Sequence, residues 1–96
     1  MLSNQDKKYL RTKAHDLQAL IQIGKTGLSA NLYQTLDDAL EAHELVKVSL
    51  LKTTPIDVRE AAIECAAATH AQVVHIVGRT FILYRRSKEN KMGLKA

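Results

Sequence analysis

The chain is poor in residues that react and in residues that stack. It has no tryptophan, one cysteine, three tyrosines and one phenylalanine. A lone thiol, Cys65, closes no internal disulfide, which fits a reducing cytosol, so the expected location is cytoplasmic. No apolar run approaches the ~20 residues that a membrane span needs. Residues 1–13 are polar and carry no apolar signal core, so secretion is not expected. Glycine and proline are also scarce, at four and one. There is no repeat, low-complexity segment or internal linker. The 96 residues make one domain with room for one modest core.

Catalytic chemistry is missing too. Gly24-Lys25-Thr26 resembles the end of a Walker A loop, but that motif needs a glycine five residues earlier. Position 19 is Ala19, and Leu20-Ile21-Gln22-Ile23 reads as a strand. His43-Glu44 opens like a zinc-protease helix, whose second histidine would fall at Lys47. His15, His43, His70, His75 and Cys65 show no metal-ligand spacing. No Gly-x-Ser-x-Gly elbow is present. The expectation is a protein that is not an enzyme, with no cofactor, no metal and no small-molecule substrate.

What the chain does have is charge, unevenly placed. Residues 1–27 carry Lys7, Lys8, Arg11, Lys13 and Lys25 against Asp6 and Asp16, a net +3. Residues 28–76 carry Lys47, Lys52 and Arg59 against seven carboxylates, a net −4. Residues 77–96 carry Arg79, Arg85, Arg86, Lys88, Lys91 and Lys95 against Glu89, a net +5. If both ends fold onto one side, the molecule gains a basic face suited to nucleic acid. A solvated surface with a basic tail fits the same charges.

Hydrophobic spacing gives the order helix, strand, helix, strand, helix, strand, strand. Ser3 caps the first helix with Asp6 in the capping-box position, and Leu10, Ala14 and Leu17 form its stripe. Tyr9 either packs or stacks on a base, and packing is the reading taken. Ala19–Ile23 is the first strand. Ser29 caps the second helix, with Leu32, Leu36, Ala39 and Leu40 inward and Asp37, Asp38 and Glu41 outward. Leu45–Leu51 is the second strand, alternating Val46, Val48 and Leu50 with Lys47 and Ser49. Thr54-Pro55 opens the third helix, threonine as cap and proline at its first position. Gln72–Val77 and Thr80–Tyr84 are joined by Gly78-Arg79 in a type II′ hairpin. Two right-handed crossovers ending in a hairpin make a compact two-layer α/β sandwich with a mixed four-stranded sheet. The domain spans 1–86, and the basic tail 87–96 is expected to be disordered.

Between the first strand and the second helix lies Gly24-Lys25-Thr26-Gly27. Such a turn is either a connector or a ligand site. Backbone N–H groups in a glycine turn before a helix N-terminus fit a phosphate, and Lys25 adds a full charge.

Several short pieces stand together in the order and spacing of a known family. They are Tyr9-Leu10-Arg11, Ala14-His15, Ile23-Gly24-Lys25-Thr26-Gly27-Leu28, Glu44-Leu45-Val46-Lys47-Val48, and Gly78-Arg79 followed by Leu83-Tyr84-Arg85. Over residues 2–86 the chain resembles the CRM domain (chloroplast RNA splicing and ribosome maturation) in its stand-alone bacterial YhbY form. The resemblance implies a fold similar to the C-terminal domain of translation initiation factor 3. It also implies RNA binding through Gly24, Lys25, Thr26 and Gly27, and association with precursors of the large ribosomal subunit. Arg11 and Arg79 match basic positions of the pattern. Lys7, Lys8, Arg85 and Arg86 extend the track if they share its face. The partner is then ribosomal RNA, bound by a monomer with weak base selection. An alternative is a protein-interaction module that docks on a ribosomal protein or assembly factor through the acidic second helix. Where many members read Thr-Gly-Ala after the third helix, this chain has Thr69-His70-Ala71. His70 therefore takes a positive φ at some cost, or the helix ends differently.

Overall fold

The strands carry apolar residues on both faces, and this decides the layering. In the computed structural model, which describes residues 2–88, β2 (Leu45–Leu50) pairs antiparallel with β4 (Thr80–Tyr84), with Val46 opposite Leu83 and Val48 opposite Phe81. Those four side chains point to one face. Leu45, Tyr84 and Ile82 point to the other. β1 (Ile21–Ile23) adds parallel to β2, and β3 (Gln72–Val77) adds antiparallel to β4. The sheet order is β1-β2-β4-β3. The crossover from β2 to β3 thus skips one place, which β4 returns to fill.

Helices α2 (Ala30–His43) and α3 (Val58–Thr69) cover the Val46/Phe81 face. Leu36 and Leu40 come from α2, and Ala61, Ala62, Cys65 and Ala66 come from α3. The small residues of α3 let it lie close to both sheet and helix. Cys65 is fully buried, and burial pushes its thiol up to about 11, so it stays protonated and inert at neutral pH. Helix α1 (Asn4–Ala14) lies on the opposite face, where Leu2, Leu10 and Ala14 pack on Leu45, Val74, Ile82 and Tyr84. The helix–sheet sandwich therefore carries α1 as an added layer on its second face.

Local signals set most boundaries. Ser3 and Asp6 exchange both bonds of the capping box. The Ser29 hydroxyl accepts from the Leu32 amide at 3.1 Å. Gly78 has φ +58 and Arg79 lies outside the left-handed region, the type II′ pattern. Other boundaries differ from expectation. α1 stops at Ala14, so Leu17 is not on its stripe and is 38% exposed. Tyr9 is exposed rather than packed, with the Lys13 ammonium 5.6 Å from its ring centre. β1 is trimmed to three residues and β2 ends at Leu50. The cap of α3 is Asp57, whose carboxylate accepts from the Arg59 amide, while Thr54-Pro55 lies in the preceding loop.

Two non-glycine residues hold positive φ, and both follow from short connections. His70 closes α3 at φ 57, ψ 33, and its amide and that of Ala71 both return to the Ala66 carbonyl. This is the first of the two alternatives read from Thr69-His70-Ala71. Glu44 alone separates α2 from β2, so the reversal falls on it, at φ 66. Its buried side chain accepts from the Ser87 amide and hydroxyl, which fastens the chain beyond β4 to the end of α2. Within the segment read as a basic tail, Ser87 is buried and Lys88 exposed, and residues 89–96 lie outside the described residues.

Leu36 is fully buried between α2 and the sheet. Leu36→Ala is expected to cost about 2–5 kcal/mol. Urea unfolding read by circular dichroism measures it, and an unchanged midpoint would mean that α2 buries another face.

Candidate nucleic-acid interface

The Gly24–Gly27 segment folds as a turn closed by the Gly27 amide, which donates to the Gly24 carbonyl at 3.0 Å. Lys25 and Thr26 both keep ordinary negative φ, so the turn is type I, with its left-handed residue at Gly27, φ +70. Two features of the next loop hold it in place. The Thr54 hydroxyl and the Leu51 amide both donate to the Ile23 carbonyl, at 2.7 and 2.9 Å. Pro55 lies under Gly27, where a Cβ would meet its Cγ at 3.4 Å. Thr54 and Pro55, read from sequence as a helix start, instead brace this turn.

Not every amide of the turn is open, because that of Gly27 is spent internally. The amides of Lys25 and Thr26 have no hydrogen-bond partner among the described residues, and both residues are exposed. The same holds for the amides of Ala30 and Asn31 in the first turn of α2, while Ser29 satisfies the next one. Open N–H groups, a helix N-terminus and the Lys25 ammonium thus meet at one end of the sheet. Arg79 is at the same end. Its carbonyl accepts from the Leu50 amide at 2.7 Å, one residue before the contact of Leu51 with Ile23.

A second group of cations lies along α1 and the sheet face beneath it. Lys8, Arg11 and His15 line one shallow groove, together with Thr12 and Asp16. Arg11 and His15 also line the next, against Lys47, His75, Val77 and Ile82. Val77 adjoins the Gly78-Arg79 turn, so this groove leads toward the loop end of the sheet. Lys7 is half-buried near the start of α1, close to the point where the Leu2 amide donates to Gln72 Oε1. Lys47 and Lys13 were not among the residues expected from sequence. Lys47 reads there as an ordinary outward strand position, and only the placing of α1 on that face reveals its neighbours.

Arg85 is a correction. Its side chain is 17% exposed, and its guanidinium donates to the Asp37 carboxylate and carbonyl, the Thr69 carbonyl and Glu41. It ties α2 to the end of α3, and both of its terminal nitrogens are engaged there. Asp37 and Glu41 face outward as expected, with about half of each side chain exposed, and are its partners. Arg86 is exposed but follows Arg85 at the end of the sheet away from the Gly24–Gly27 turn. Among the described residues Arg85 makes the ion pairs, and Lys7, Lys8, Arg11, Lys13, Lys25, Lys47, Arg79 and Arg86 make none. The outer helices α2 and α3 carry Asp37, Asp38, Glu41, Glu60 and Glu64 against Arg59. The carboxylates of α2 and α3 therefore lie on the face away from α1, while Asp6 and Asp16 stay with the cations of α1. No helix is long and apolar enough to cross a membrane, and no described group of His, Cys, Asp and Glu is placed to hold a metal.

These features define a class: a small α/β domain with a braced glycine turn, a basic face and an acidic back. The chain belongs to the CRS1/YhbY (CRM) domain family, whose family model matches residues 2–85. It is 41% identical over 91 residues to the Bacillus subtilis protein named "Probable RNA-binding protein YqeI", covering 95% of each chain. It is 30% identical over 93 residues to a Haemophilus influenzae protein named "RNA-binding protein", covering 97% of this chain and 94% of that one. The solution structure of SAV1595 from Staphylococcus aureus, described as a candidate RNA-binding protein, superposes with a TM-score of 0.81 at 40% identity, covering 96% of each chain.

The two glycines of the turn are not equivalent. Gly24→Ala puts a Cβ at ordinary contact distance, 3.7 Å from Leu51, and should change stability by under about 0.5 kcal/mol. Gly27→Ala meets both a positive φ and Pro55 and should cost about 1–2 kcal/mol or more. Thermal melts of the two variants compare them directly, and equal midpoints would mean that Pro55 does not fix the turn.

Proposed function

We propose that this protein is a non-catalytic, cytoplasmic RNA-binding factor that acts as a monomer on ribosomal RNA during assembly of the large ribosomal subunit. The observation that carries the reading is the open amide pair of Lys25 and Thr26, in a turn braced by Thr54 and Pro55. It stands on a chain whose relatives are named as RNA-binding proteins. Phosphate oxygens accept from those amides and from the first turn of α2, and the helix dipole adds to the attraction. Lys25 pairs with one phosphate, and the Thr26 hydroxyl donates to another. Arg79, Lys47, Arg11 and Lys8 carry the backbone along the sheet face and α1, with Lys7 and Arg86 at the margin. Few aromatic side chains are available, so affinity comes from phosphates and base selection is weak. The assembly role rests on the family resemblance. Docking of a ribosomal protein on the acidic second helix has less support, because Asp37 and Glu41 are already engaged by Arg85.

Lys25→Ala should weaken RNA binding and flatten the slope of log affinity against log salt by ~1. Gly24→Asp should be worse, because its carboxylate takes the phosphate's place. In sucrose gradients of cell lysate, wild-type protein should sediment with large-subunit precursors and Lys25→Ala should remain at the top. Wild-type protein at the top would remove the ribosomal assignment. Unchanged RNA affinity in both variants would remove the loop.

A further inference from the structure

Beside the basic groove is a cleft that its phosphate chemistry does not use. It has a volume of about 380 Å³ and lies between the end of α1, the chain leading into β1, and the start of β2. Leu45 forms the buried floor, and Leu17 and Leu20 form walls that are 38% and 58% exposed. Lys13, His43 and Lys47 stand at its rim. The chain between α1 and β1 holds its shape through two contacts with Lys47. The ammonium of Lys47 donates to the Leu17 carbonyl at 3.4 Å, and its carbonyl accepts from the Leu20 amide at 3.1 Å.

We propose that this cleft receives one unstacked base of single-stranded RNA, with Lys13 and Lys47 on the flanking phosphates. The inference rests on the RNA-binding reading and adds the kind of RNA. Lys47 lines both this cleft and the groove of Arg11, His15 and His75, so a backbone lying in that groove passes the cleft mouth. No carboxylate lines the cleft, and two lysines do, which suits a polyanion better than an apolar side chain of a protein. An apolar slot with cations at its edge matches the two parts of a nucleotide, a flat base and a charged phosphate. A duplex keeps its bases inside the stack and has none to offer, so the ligand is single-stranded at this point. The leucines are not a remnant of the core. They are accessible to solvent, while the side chain between them and the sheet, Leu45, is 2% exposed.

The test uses the full chain and three labelled probes: a 12-residue oligouridine, an abasic oligomer of the same length, and a 12-base-pair RNA duplex. Wild-type protein should bind oligouridine about tenfold more tightly than the abasic strand or the duplex. The double variant Leu17→Ala/Leu20→Ala should lose that margin and keep its salt slope, with an unchanged melting curve, since both side chains are at the surface. Lys25→Ala should weaken all three probes and keep the margin, so the loop and the cleft fail independently. Leu17 and Leu20 methyl resonances should shift on adding oligouridine. Equal wild-type binding of oligouridine and abasic strand, or a margin that survives in the double variant, would overturn the inference. Unshifted methyls at saturation would also overturn it. No wild-type binding to any probe would remove this inference and the RNA-binding reading together.

Discussion

Pairing β2 against β4 in the register that sets Val46 opposite Leu83 and Val48 opposite Phe81 commits the rest of the molecule. Side chains alternate along a strand, so a slip by one residue would exchange the two faces. In this register the larger apolar set meets α2 and α3, and Leu45, Ile82 and Tyr84 meet α1. Each large side chain buried this way stabilises by roughly 1.5–3 kcal/mol, so both faces resist a slip. The register also places the hairpin turn of β3 and β4 at the end of the sheet where β1 and β2 finish. That is why Arg79 and the Gly24–Gly27 turn share one end.

Layering then separates charge. α1 brings its lysines and arginine to one face, and α2 and α3 bring their carboxylates to the other. The basic cations of α1 and the sheet face have no carboxylate partner among the described residues, and the one arginine that does, Arg85, holds the acidic layer together. Attraction for a polyanion is thus directional, and the acidic back turns it away from the wrong side. The turn is braced at both ends, by Pro55 against its last residue and by the Thr54 hydroxyl on the strand before it, which lowers the ordering cost of presenting its open amides.

Much of this was legible in the residues. The limits of β3 and β4 follow from two short apolar runs with Gly78-Arg79 alone between them, and the register shift at Val73–His75 left no sign in the residues. The caps at Ser3 and Ser29 follow from side chains that reach a nearby amide. The Gly24–Gly27 turn was legible as a candidate, and its open amides needed the structure, because Gly27 spends its own. The misreadings share a cause, a local signal serving a distant contact. Thr54-Pro55 has the pattern of a helix start, but its hydroxyl and ring are used by the neighbouring loop. No glycine or proline marks the end of α1, so the helical spacing seemed to reach Leu17. Arg85 looks like any surface cation until the chain brings Asp37, Glu41 and Thr69 around it. Glu44 gave no sign of being buried with a positive φ, since that follows from having one residue between α2 and β2.

The most direct measurement is a backbone amide spectrum of the full chain, titrated with single-stranded RNA at physiological salt. Amides of Lys25, Thr26 and the first turn of α2 should shift together with those of Arg79, Lys47 and the exposed side of α1. Amides of Asp38, Glu60 and Glu64 on the acidic back should stay in place. Shifts confined to α2 and α3, with Lys25 and Thr26 unmoved, would contradict the assignment of the basic face and its braced turn as the RNA surface.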